Sequence, residues 1–408
     1  MKPKLHISHR TSPIALPLSG IRVLDLTRIL SGPFCTMKLG DMGAEVIKIE
    51  QPGKGDDTRT WGPPFIKGES AYFLSVNRNK KSVTLDLKAD KSKEILAKLI
   101  GQSDVLVENF RAGVMEKLGF DYARVEKLNP GIIYCSISGY GQTSSRSHQP
   151  SYDVIVQGES GLMDMTGYPD RPPTKVGISL ADVNAGNLAF EGILLAFIQR
   201  EKTGKGQLVD ISLLDGLVSL FAYQSQIALS STRKVSRRGN RHPTITPYEM
   251  YATKDGFINI AVATESAWRC FCHAIGRENL LEDQRFAANA NRVDHRESLE
   301  QILIPIMKTK GTKEWMKILS KADVPAGTIN SLSEALTMTT LKERDMIESM
   351  SHPVIGTLKM VGNPIKLSDS PRVKMLPPPL LGEHTDEILE ELGYSKKQIK
   401  TLREKGTV

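Results

Sequence analysis

One carboxylate, Asp182, stands where a side chain can act as a nucleophile. It follows a proline-rich loop at residues 171–174 and a short apolar run, and the apolar spacing predicts a long helix from about residue 184 to 199. We expect Asp182 to be the N-cap of this helix, where backbone N–H groups and the helix dipole favour an ionised carboxylate. An ionised aspartate is a hydrogen-bond acceptor or a nucleophile at neutral pH. Most aspartates at such positions only cap a helix, so a catalytic role requires support from other residues.

The elements that must position Asp182 alternate between strands and helices. Helices separate most of the predicted buried strands, which cover residues 21–26, 45–50, 82–87, 104–107, 132–137 and 209–213. This order predicts an α/β fold whose large domain has a doubly wound, mostly parallel, Rossmann-like sheet with helices on both faces. The first turn, Ser31-Gly32-Pro33, lacks the G-x-G-x-x-G glycines, so no nicotinamide dinucleotide is expected there. Ligands of such folds bind beyond the carboxyl ends of strands, which is where we place residues 28–31, 109–111 and 139–142.

Changes of pattern along the chain indicate four segments. We expect a flexible leader at residues 1–19, the large domain at 20–225, a smaller α/β domain at 226–331 and a return to the large domain at 332–408. No apolar run of about 18 residues is present, so we expect no membrane-spanning helix and no membrane partner. The leader is basic and interrupted by prolines, and we expect a cytoplasmic protein, or a protein of the mitochondrial matrix if the source is eukaryotic.

The net charge of +8 points to an anionic partner. The densest basic run comprises Arg233, Lys234, Arg237, Arg238 and Arg241. Aromatic residues do not interleave with it and no recognition motif accompanies it, so we expect no nucleic-acid partner and favour a solvated loop or a contact with a phosphate-bearing metabolite. The four cysteines are Cys35, Cys135, Cys270 and Cys272. Neither they nor the scattered histidines have metal-ligand spacing, so we expect reduced thiols and no metal.

Six short stretches form an ordered set of motifs. They are VLDLT with GP (residues 23–27 and 32–33), GAEVIKIE (43–50), NRNKKS (77–82), VENF (107–110), TGKGQ (203–207) and LLGEHT (380–385). Together they resemble the class III CoA-transferases, the CaiB/BaiF family, and the resemblance runs from about Leu18 to the C terminus. Within the family the chain is most similar to members that move CoA between succinate and glutarate, on the stretches at residues 55–65, 75–82 and 134–143.

The resemblance implies an activity and an assembly. Asp182 matches the family's catalytic aspartate, which attacks an acyl-CoA to give a mixed anhydride and then an aspartyl-CoA thioester, from which a second carboxylic acid takes the CoA. The expected substrates are succinyl-CoA and a dicarboxylate such as glutarate, with carnitine, oxalate or an aromatic acid as alternative acceptors. CoA is then a substrate, and no tightly bound cofactor is expected. The family fold implies a homodimer of two interlocked ring-shaped chains, with residues 20–225 as the start of the CoA-binding domain.

The resemblance also implies roles for residues around Asp182. Tyr152 and Asp153 match an active-site pair that faces the aspartate, and Leu30 stands where the family's formyl-CoA transferases have a glutamine. The residues that match CoA contacts are Arg28, Ile29, Ser31, Leu85, Lys88, Asn109, Phe110 and Lys117. The glycine-rich lid of the formyl-CoA transferases is absent, which disfavours formyl and oxalyl substrates. A longer dicarboxylate fits better, with Arg59 or an arginine of the basic run holding its far end.

Two other functions use the same family resemblance. An α-methylacyl-CoA racemase needs a second acid–base residue, a histidine before the aspartate at position 153, and here that place holds Tyr152. A phenol with a pKa of about 10 is a poor base at neutral pH, so transfer is favoured over racemisation. A protein that only binds CoA as a scaffold has no use for a carboxylate beside a thioester, and Asp182 argues against it.

Overall fold

The computed structural model describes residues 15–232 and 235–408. Two compact units divide these residues. The large unit comprises the described residues up to Ser160, Gly177–Ser225 and Glu343–Val408, and the second unit comprises Gly161–Val176 and Gln226–Lys342. Residues 161–176 therefore belong to the second unit rather than to the predicted large domain, and the return begins at Glu343 rather than at 332. Of the predicted leader, residues 1–14 lie outside the described residues, whereas Leu18 is buried and donates its N–H to the Met42 carbonyl at 3.0 Å.

The helices and strands follow in chain order. The strands are β1 (Arg22–Asp25), β2 (Glu45–Glu50), β3 (Phe65–Ile66), β4 (Glu69–Ser70), β5 (Lys80–Thr84), β6 (Val105–Glu108), β7 (Ile133–Ser138), β8 (Leu208–Ser212), β9 (Tyr248–Ala252), β10 (Phe257–Ala261), β11 (Ala326–Thr328), β12 (Ile347–His352) and β13 (Gly356–Val361). The α-helices are α1 (Ser31–Asp41), α2 (Ala71–Val76), α3 (Asp90–Gly101), α4 (Val114–Leu118), α5 (Tyr122–Leu128), α6 (Asp153–Glu159), α7 (Leu162–Met165), α8 (Leu180–Thr203), α9 (Leu213–Ser219), α10 (Tyr223–Ser230), α11 (Glu265–Ala274), α12 (Asn289–Asp294), α13 (Arg296–Met307), α14 (Thr312–Lys321), α15 (Leu332–Ala335), α16 (Thr339–Glu343), α17 (Thr385–Glu391) and α18 (Lys396–Glu404).

A six-stranded sheet forms the centre of the large unit, in the order β5-β2-β1-β6-β7-β8. All five pairings between neighbouring strands are parallel, which confirms the predicted parallel sheet. Strands buried on both faces have near-continuous burial, and every residue of β6 and β7 is buried. The carboxyl ends of β1, β6 and β7 therefore meet at one edge, from which the loops to the candidate site leave.

Helices cover both faces of this sheet, as in a doubly wound fold. One face packs with α3, α5, α17 and α18 in a core that includes Leu24, Ile47, Leu99, Ile388 and Leu402. On the other face, α1 and α8 pack against each other, α1 lies on β1 and β2, and α8 lies on β7 and β8. The returning segment thus supplies α17 and α18 to the same core as the N-terminal strands.

The long helix α8, which packs on the sheet of the large unit, is strongly apolar. Its composition and length meet those of a membrane-spanning helix, with a mean hydropathy of 1.3 over 18 residues. Its small residues Ala185, Ala189 and Ala196 are nevertheless buried, together with Ile193, and the helix packs on α1 and the sheet. The buried face of α8 is thus apolar because it packs on α1 and the sheet, as in globular domains.

The second unit has its own sheet and core. Its three strands form an antiparallel sheet in the order β11-β10-β9. Helices α11, α13 and α14 place Trp268, Phe271, Leu303 and Trp315 in one apolar cluster with residues of this sheet. The mixture of strands and helices in residues 248–321 agrees with the small α/β domain predicted within residues 226–331.

Candidate active site

A cavity of about 150 Å³ lies in the large unit, beyond the carboxyl ends of β1, β6 and β7. Its walls come from the loops that follow these strands, from the segment before α6 and from the first turn of α8. The lining residues are Arg28, Ile29, Leu30, Ser31, Asn109, Phe110, Arg111, Ile137, Ser138, Gly139, Ser147, Gln149, Ser151, Tyr152, Asp182 and Leu213. Eight of the residues proposed from the sequence therefore share one cavity, at the edge of the sheet where ligands of this fold class bind.

Asp182 lies inside the first turn of α8 rather than at its N-cap. The helix begins at Leu180, and its N-cap residue Ser179 makes no side-chain capping bond. The cap is supplied by Asp153 instead, whose Oδ1 accepts the Ala181 N–H at 2.8 Å. Because a carboxylate from another helix satisfies this N–H group, the Asp182 carboxylate is left to face the cavity.

The ionisation of Asp182 also differs from the sequence prediction. Burial, and to a smaller extent the negative charge of Asp153, raise its pKa from 3.8 to about 7, while a hydrogen bond from Ser31 opposes the rise. The free-energy cost of removing this carboxylate from water exceeds the stabilisation that the helix N-terminus provides, so the expectation of a fully ionised cap was wrong. At neutral pH both the acid and the carboxylate of Asp182 are populated.

Two helix N-termini meet at this carboxylate. Helix α1 begins at Ser31 and α8 at Leu180, and the two helices are closely packed. The contact depends on Gly186, because a Cβ atom there would lie 2.6 Å from the Ser31 carbonyl oxygen. A glycine one turn after Asp182 thus lets the N-terminal turn of α8 approach Ser31 closely.

A buried ion pair fixes the loop between β1 and α1. Lys48 and Asp56 are 2.9 Å apart with both side chains fully buried, and the charge of Lys48 holds the pKa of Asp56 below its ordinary value. The Asp56 carboxylate also accepts the N–H of Ile29 at 3.3 Å, and Ile29 has a left-handed φ of 70°. Asp56 lies in a segment rich in glycine and charge, and its partner on β2 is not visible in the local sequence.

A second cavity of about 420 Å³ shares Arg28 and Phe110 with the cavity of Asp182. The Arg28 guanidinium lies 5.6 Å from the centre of the Phe110 ring. Leu85 and Lys88 line the second cavity, at the end of β5 and beyond it. The two cavities are therefore neighbours, and the residues that they share are a cation and an aromatic ring.

Known proteins match both the sequence and the fold of this chain. The model of CoA-transferase family III matches residues 18–385. The chain belongs to this family. It is 39% identical over 393 residues to the succinyl-CoA:glutarate CoA-transferase of Mus musculus, covering 96% of this chain and 90% of that protein. It is 41% identical over 354 residues to the acetyl-CoA:oxalate CoA-transferase of Acetobacter aceti, covering 86% and 89% respectively.

A solved relative supports the same assignment. The crystal structure of a CaiB/BaiF family protein from Brucella suis matches with a TM-score of 0.82 and 37% identity, over 93% of this chain and 100% of that chain. The protein is accordingly an enzyme of the CoA-transferase type, and enzymes of this type use an acyl-CoA as substrate.

Arg59 of this family III transferase is not placed to hold a substrate. Its guanidinium makes two hydrogen bonds of 2.7 Å to the two carboxylate oxygens of buried Glu50, and lies 3.7 Å from the centre of the Phe73 ring. It also donates to the Pro379 carbonyl oxygen at 3.2 Å. These bonds engage the Nε and Nη2 groups of Arg59 with a buried carboxylate, which argues against the expectation that Arg59 grips the far end of a dicarboxylate.

The other predicted residues of the transferase site divide into two groups. Tyr152 and Leu30 line the cavity with Asp182, and Tyr152 is 59% exposed, which excludes a core role. Lys117 is exposed and lines neither of the two cavities described above. Of the basic run, residues 233 and 234 lie outside the described residues, and Arg241 pairs with Glu300 in the second unit.

Sequence reasoning missed a buried acid next to this transferase site. Glu108, the last residue of β6, accepts the Phe110 N–H at 2.8 Å and a hydrogen bond from the Ser136 hydroxyl. Burial raises the pKa of Glu108 to about 7.

Within the described residues, no group of three His, Cys, Asp or Glu side chains is placed to hold a metal ion.

Proposed function

We propose that the protein transfers CoA from succinyl-CoA to a free dicarboxylate such as glutarate, with Asp182 as the covalent nucleophile. The observation that carries the proposal is a half-buried carboxylate at the end of a cavity whose other walls are the loops proposed to hold CoA. The similarity to the Mus musculus enzyme supports the choice of substrates.

The proposed reaction consists of four carbonyl substitutions. The Asp182 carboxylate attacks the thioester carbon of succinyl-CoA, the C–S bond breaks, and a mixed anhydride and the CoA thiolate form. The thiolate attacks the Asp182 carbonyl carbon and releases succinate, which leaves an aspartyl-CoA thioester. The acceptor carboxylate then attacks this thioester, and the released thiolate attacks the acceptor carbonyl of the new anhydride. The products are the acceptor's CoA thioester and a regenerated Asp182 carboxylate, with no net proton transfer.

The raised pKa of Asp182 suits this role. An aspartate with a pKa near 7 is a more basic and therefore more nucleophilic carboxylate than one at 3.8, and about half of it is ionised at neutral pH. The same burial removes water that would hydrolyse the anhydride. A smaller fraction of Asp182 is thus ionised at neutral pH, but the ionised carboxylate is more nucleophilic.

The charge of the cavity suits anionic substrates. Arg28 and Arg111 both line it, and Arg28 also borders the second cavity. Arg28 pairs with Asp57 at 3.1 Å, while Arg111 is exposed. We propose that these arginines bind the phosphates of CoA or the second carboxylate of the acid, which predicts better acceptors among dicarboxylates than among monocarboxylates.

A panel of acids tests the proposal. Succinyl-CoA is incubated with glutarate, oxalate, mesaconate and butyrate, and each acyl-CoA product and any free CoA are separated and quantified. Preferred formation of glutaryl-CoA without free CoA, and its loss in Asp182→Ala, is the expected result. Hydrolysis to free CoA in every sample, or undiminished transfer by Asp182→Ala, would contradict it.

An oxygen label tests the route and separates it from racemisation. With ¹⁸O in the carboxylate of glutarate, one labelled oxygen moves to Asp182 and, in the next turnover, to the released succinate. Absence of the label from succinate would exclude the anhydride route. A racemase instead exchanges the α-proton of a 2-methylacyl-CoA in deuterated water without any acceptor acid, and we expect no such exchange.

We further propose that a second copy of the chain covers an apolar surface of the large unit. Val154 and Ile155 on α6 and Leu195 and Ile198 on α8 are exposed, with Leu195 at 67%. Exposed large apolar side chains on these two helices are residues that a partner chain can cover. Sedimentation equilibrium tests the homodimer, and Leu195→Glu is expected to shift the mass towards that of one chain. A wild-type protein that sediments as a monomer would refute it.

A further inference from the structure

Ser31 is placed to act on the nucleophile directly. It is the first residue of α1, its side chain is buried with 4% exposure, and it lines the same cavity as Asp182. The two side chains share this cavity, and a hydrogen-bond contribution from Ser31 lowers the pKa of the Asp182 carboxyl. A hydroxyl both donates and accepts hydrogen bonds, so the direction of this bond depends on the other partner of Ser31.

The other partner of Ser31 is Asn109, whose amide orientation is set by backbone groups. Asn109 Oδ1 accepts the N–H of Arg28 at 2.8 Å, and Asn109 Nδ2 donates to the Arg28 carbonyl oxygen at 2.8 Å. A flipped amide would place donor against donor and acceptor against acceptor. Asn109 Nδ2 therefore also faces Ser31 Oγ, at 3.4 Å, as a donor.

We propose that Asn109, Ser31 and Asp182 form a hydrogen-bond relay in which the Ser31 hydroxyl is a catalytic residue and Asn109 is a positioning residue. Because Ser31 Oγ accepts from Asn109, its single hydrogen points to the Asp182 carboxylate. This inference rests on the proposed role of Asp182 as the nucleophile.

The relay has a role in each half of the reaction. Before attack, the Ser31 hydrogen bond holds one oxygen of Asp182 and leaves the other free to reach the thioester carbon. When the thiolate or the acceptor attacks the Asp182 carbonyl, negative charge develops on the oxygen that Ser31 holds, and the hydroxyl stabilises it. Ser31 keeps its hydrogen throughout, so no proton or electron is left unaccounted for.

The packing around Ser31 supports a fixed geometry. The close approach of Gly186 to the Ser31 carbonyl oxygen ties the first turns of α1 and α8 together. Asn109 is held by Arg28 from both sides of its amide, so the donor to Ser31 has little freedom. A preorganised donor of this kind costs no reorganisation when the charge develops.

Ser31→Ala and Ser31→Thr test the relay. For Ser31→Ala we expect kcat to fall about 10²-fold, as for the loss of one oxyanion donor, with the KM for acyl-CoA nearly unchanged. Because the Ser31 hydrogen bond lowers the pKa of Asp182, its loss moves the acid limb of the pH profile of kcat/KM to higher pH. Ser31→Thr retains the hydroxyl and is expected to restore most of kcat.

A matched control and two readouts separate the possible results. Ser75→Ala removes an exposed hydroxyl from α2 that donates to the Tyr72 carbonyl oxygen at 2.7 Å, and it should leave kcat and the pH profile unchanged. An unchanged acid limb in Ser31→Ala would overturn the relay, even if activity fell, since a structural defect alone lowers activity without moving the limb. Wild-type and Ser31→Ala thermal melts establish that both proteins are folded under the assay conditions.

The failure of the relay is distinguishable from the failure of the proposed function. If the wild-type protein forms no covalent adduct at Asp182 with succinyl-CoA, the proposed function fails. If it forms the adduct, and Ser31→Ala forms it at the wild-type rate, only the relay fails. The expected result is adduct formation in both, with about 10²-fold slower formation in the variant.

Discussion

Lowering the pH should protonate the Asp182 carboxylate, and so remove the nucleophile, at a pH where ordinary aspartates are still ionised. Burial and the neighbouring charge of Asp153 raise the pKa of Asp182 from 3.8 to about 7. The reactive carboxylate is then about 90% populated at pH 8, about 10% at pH 6 and about 1% at pH 5. We expect kcat/KM for acyl-CoA to fall about tenfold for each pH unit below 7.

The assay is the initial rate of glutaryl-CoA formation between pH 5 and 9 at saturating glutarate. CoA carries a phosphate monoester whose second pKa is about 6, so its ionisation also contributes to the profile. The dephospho-CoA thioester serves as the control, and the acid limb assigned to Asp182 must remain with it. Activity that returns after transfer from pH 5 to pH 8 excludes acid unfolding as the cause.

A substitution at Asp153 should move the acid limb of the kcat/KM profile in the direction opposite to that expected for Ser31→Ala. Asp153→Asn removes the charge that raises the pKa of Asp182, so the limb should shift to lower pH. One of the two hydrogen bonds that Asp153 accepts, from Ala181 N–H and from Gln157 Nε2, is lost in the amide. We therefore expect a lower kcat together with the shifted limb. A wild-type profile that stays flat down to pH 5 would refute the reasoning.

Three further substitutions test the packing around the site. Gly186→Ala places a methyl group 2.6 Å from a carbonyl oxygen of α1. Urea unfolding should therefore show a free energy of unfolding lower by about 1–3 kcal/mol, and kcat should fall as well. The control Gly101→Ala, whose new carbon meets no atom within 4 Å, should show neither change. Arg59→Ala removes the bidentate cation from buried Glu50, which keeps the Asp56 N–H and the Ser82 hydroxyl as hydrogen-bond donors. It should cost about 3 kcal/mol of unfolding free energy without changing the preference among acceptor acids. An altered preference would return Arg59 to the substrate site. The raised folded-state pKa of Asp182 means that its ionised carboxylate destabilises the folded protein. Asp182→Asn should therefore raise the free energy of unfolding by about 3 kcal/mol more at pH 8 than at pH 5. An equal gain at both pH values would contradict the assigned pKa.

The parallel sheet was predictable from sequence because its determinants are local. Strands such as β6 and β7 are buried along their whole length, so their apolar character is present in a run of four to six residues. The loops at their carboxyl ends then follow from topology. The same topology places Ser31, Asn109 and Phe110 beyond the carboxyl ends of the strands, where the cavity lies.

The errors concern residues whose partners are distant in sequence. Asp182 was placed at an N-cap because nothing nearby indicates that Asp153 supplies the cap. Asp56 and Arg59 lie in a segment rich in glycine and charge, where solvent exposure is the usual outcome. Their partners Lys48 and Glu50 belong to a buried strand, and only the folded chain brings a loop carboxylate against a strand lysine.

The pKa of Asp182 was mispredicted for a related reason. A helix terminus is a local feature, and it favours the carboxylate. Desolvation depends on the walls of the cavity, which come from loops after three different strands and from α8. Since the burial effect is the largest cause of the shift, local sequence gave the wrong sign.

The most direct test of the account is rapid-quench mass spectrometry of the enzyme with succinyl-CoA. The account predicts that the proteolytic peptide containing Asp182 gains the mass of CoA less one water within one turnover. Hydroxylamine should release CoA and leave a hydroxamate on that residue, and Asp182→Asn should acquire neither modification. Turnover that proceeds with no modified Asp182 peptide, or with the CoA attached to another residue, would contradict the account.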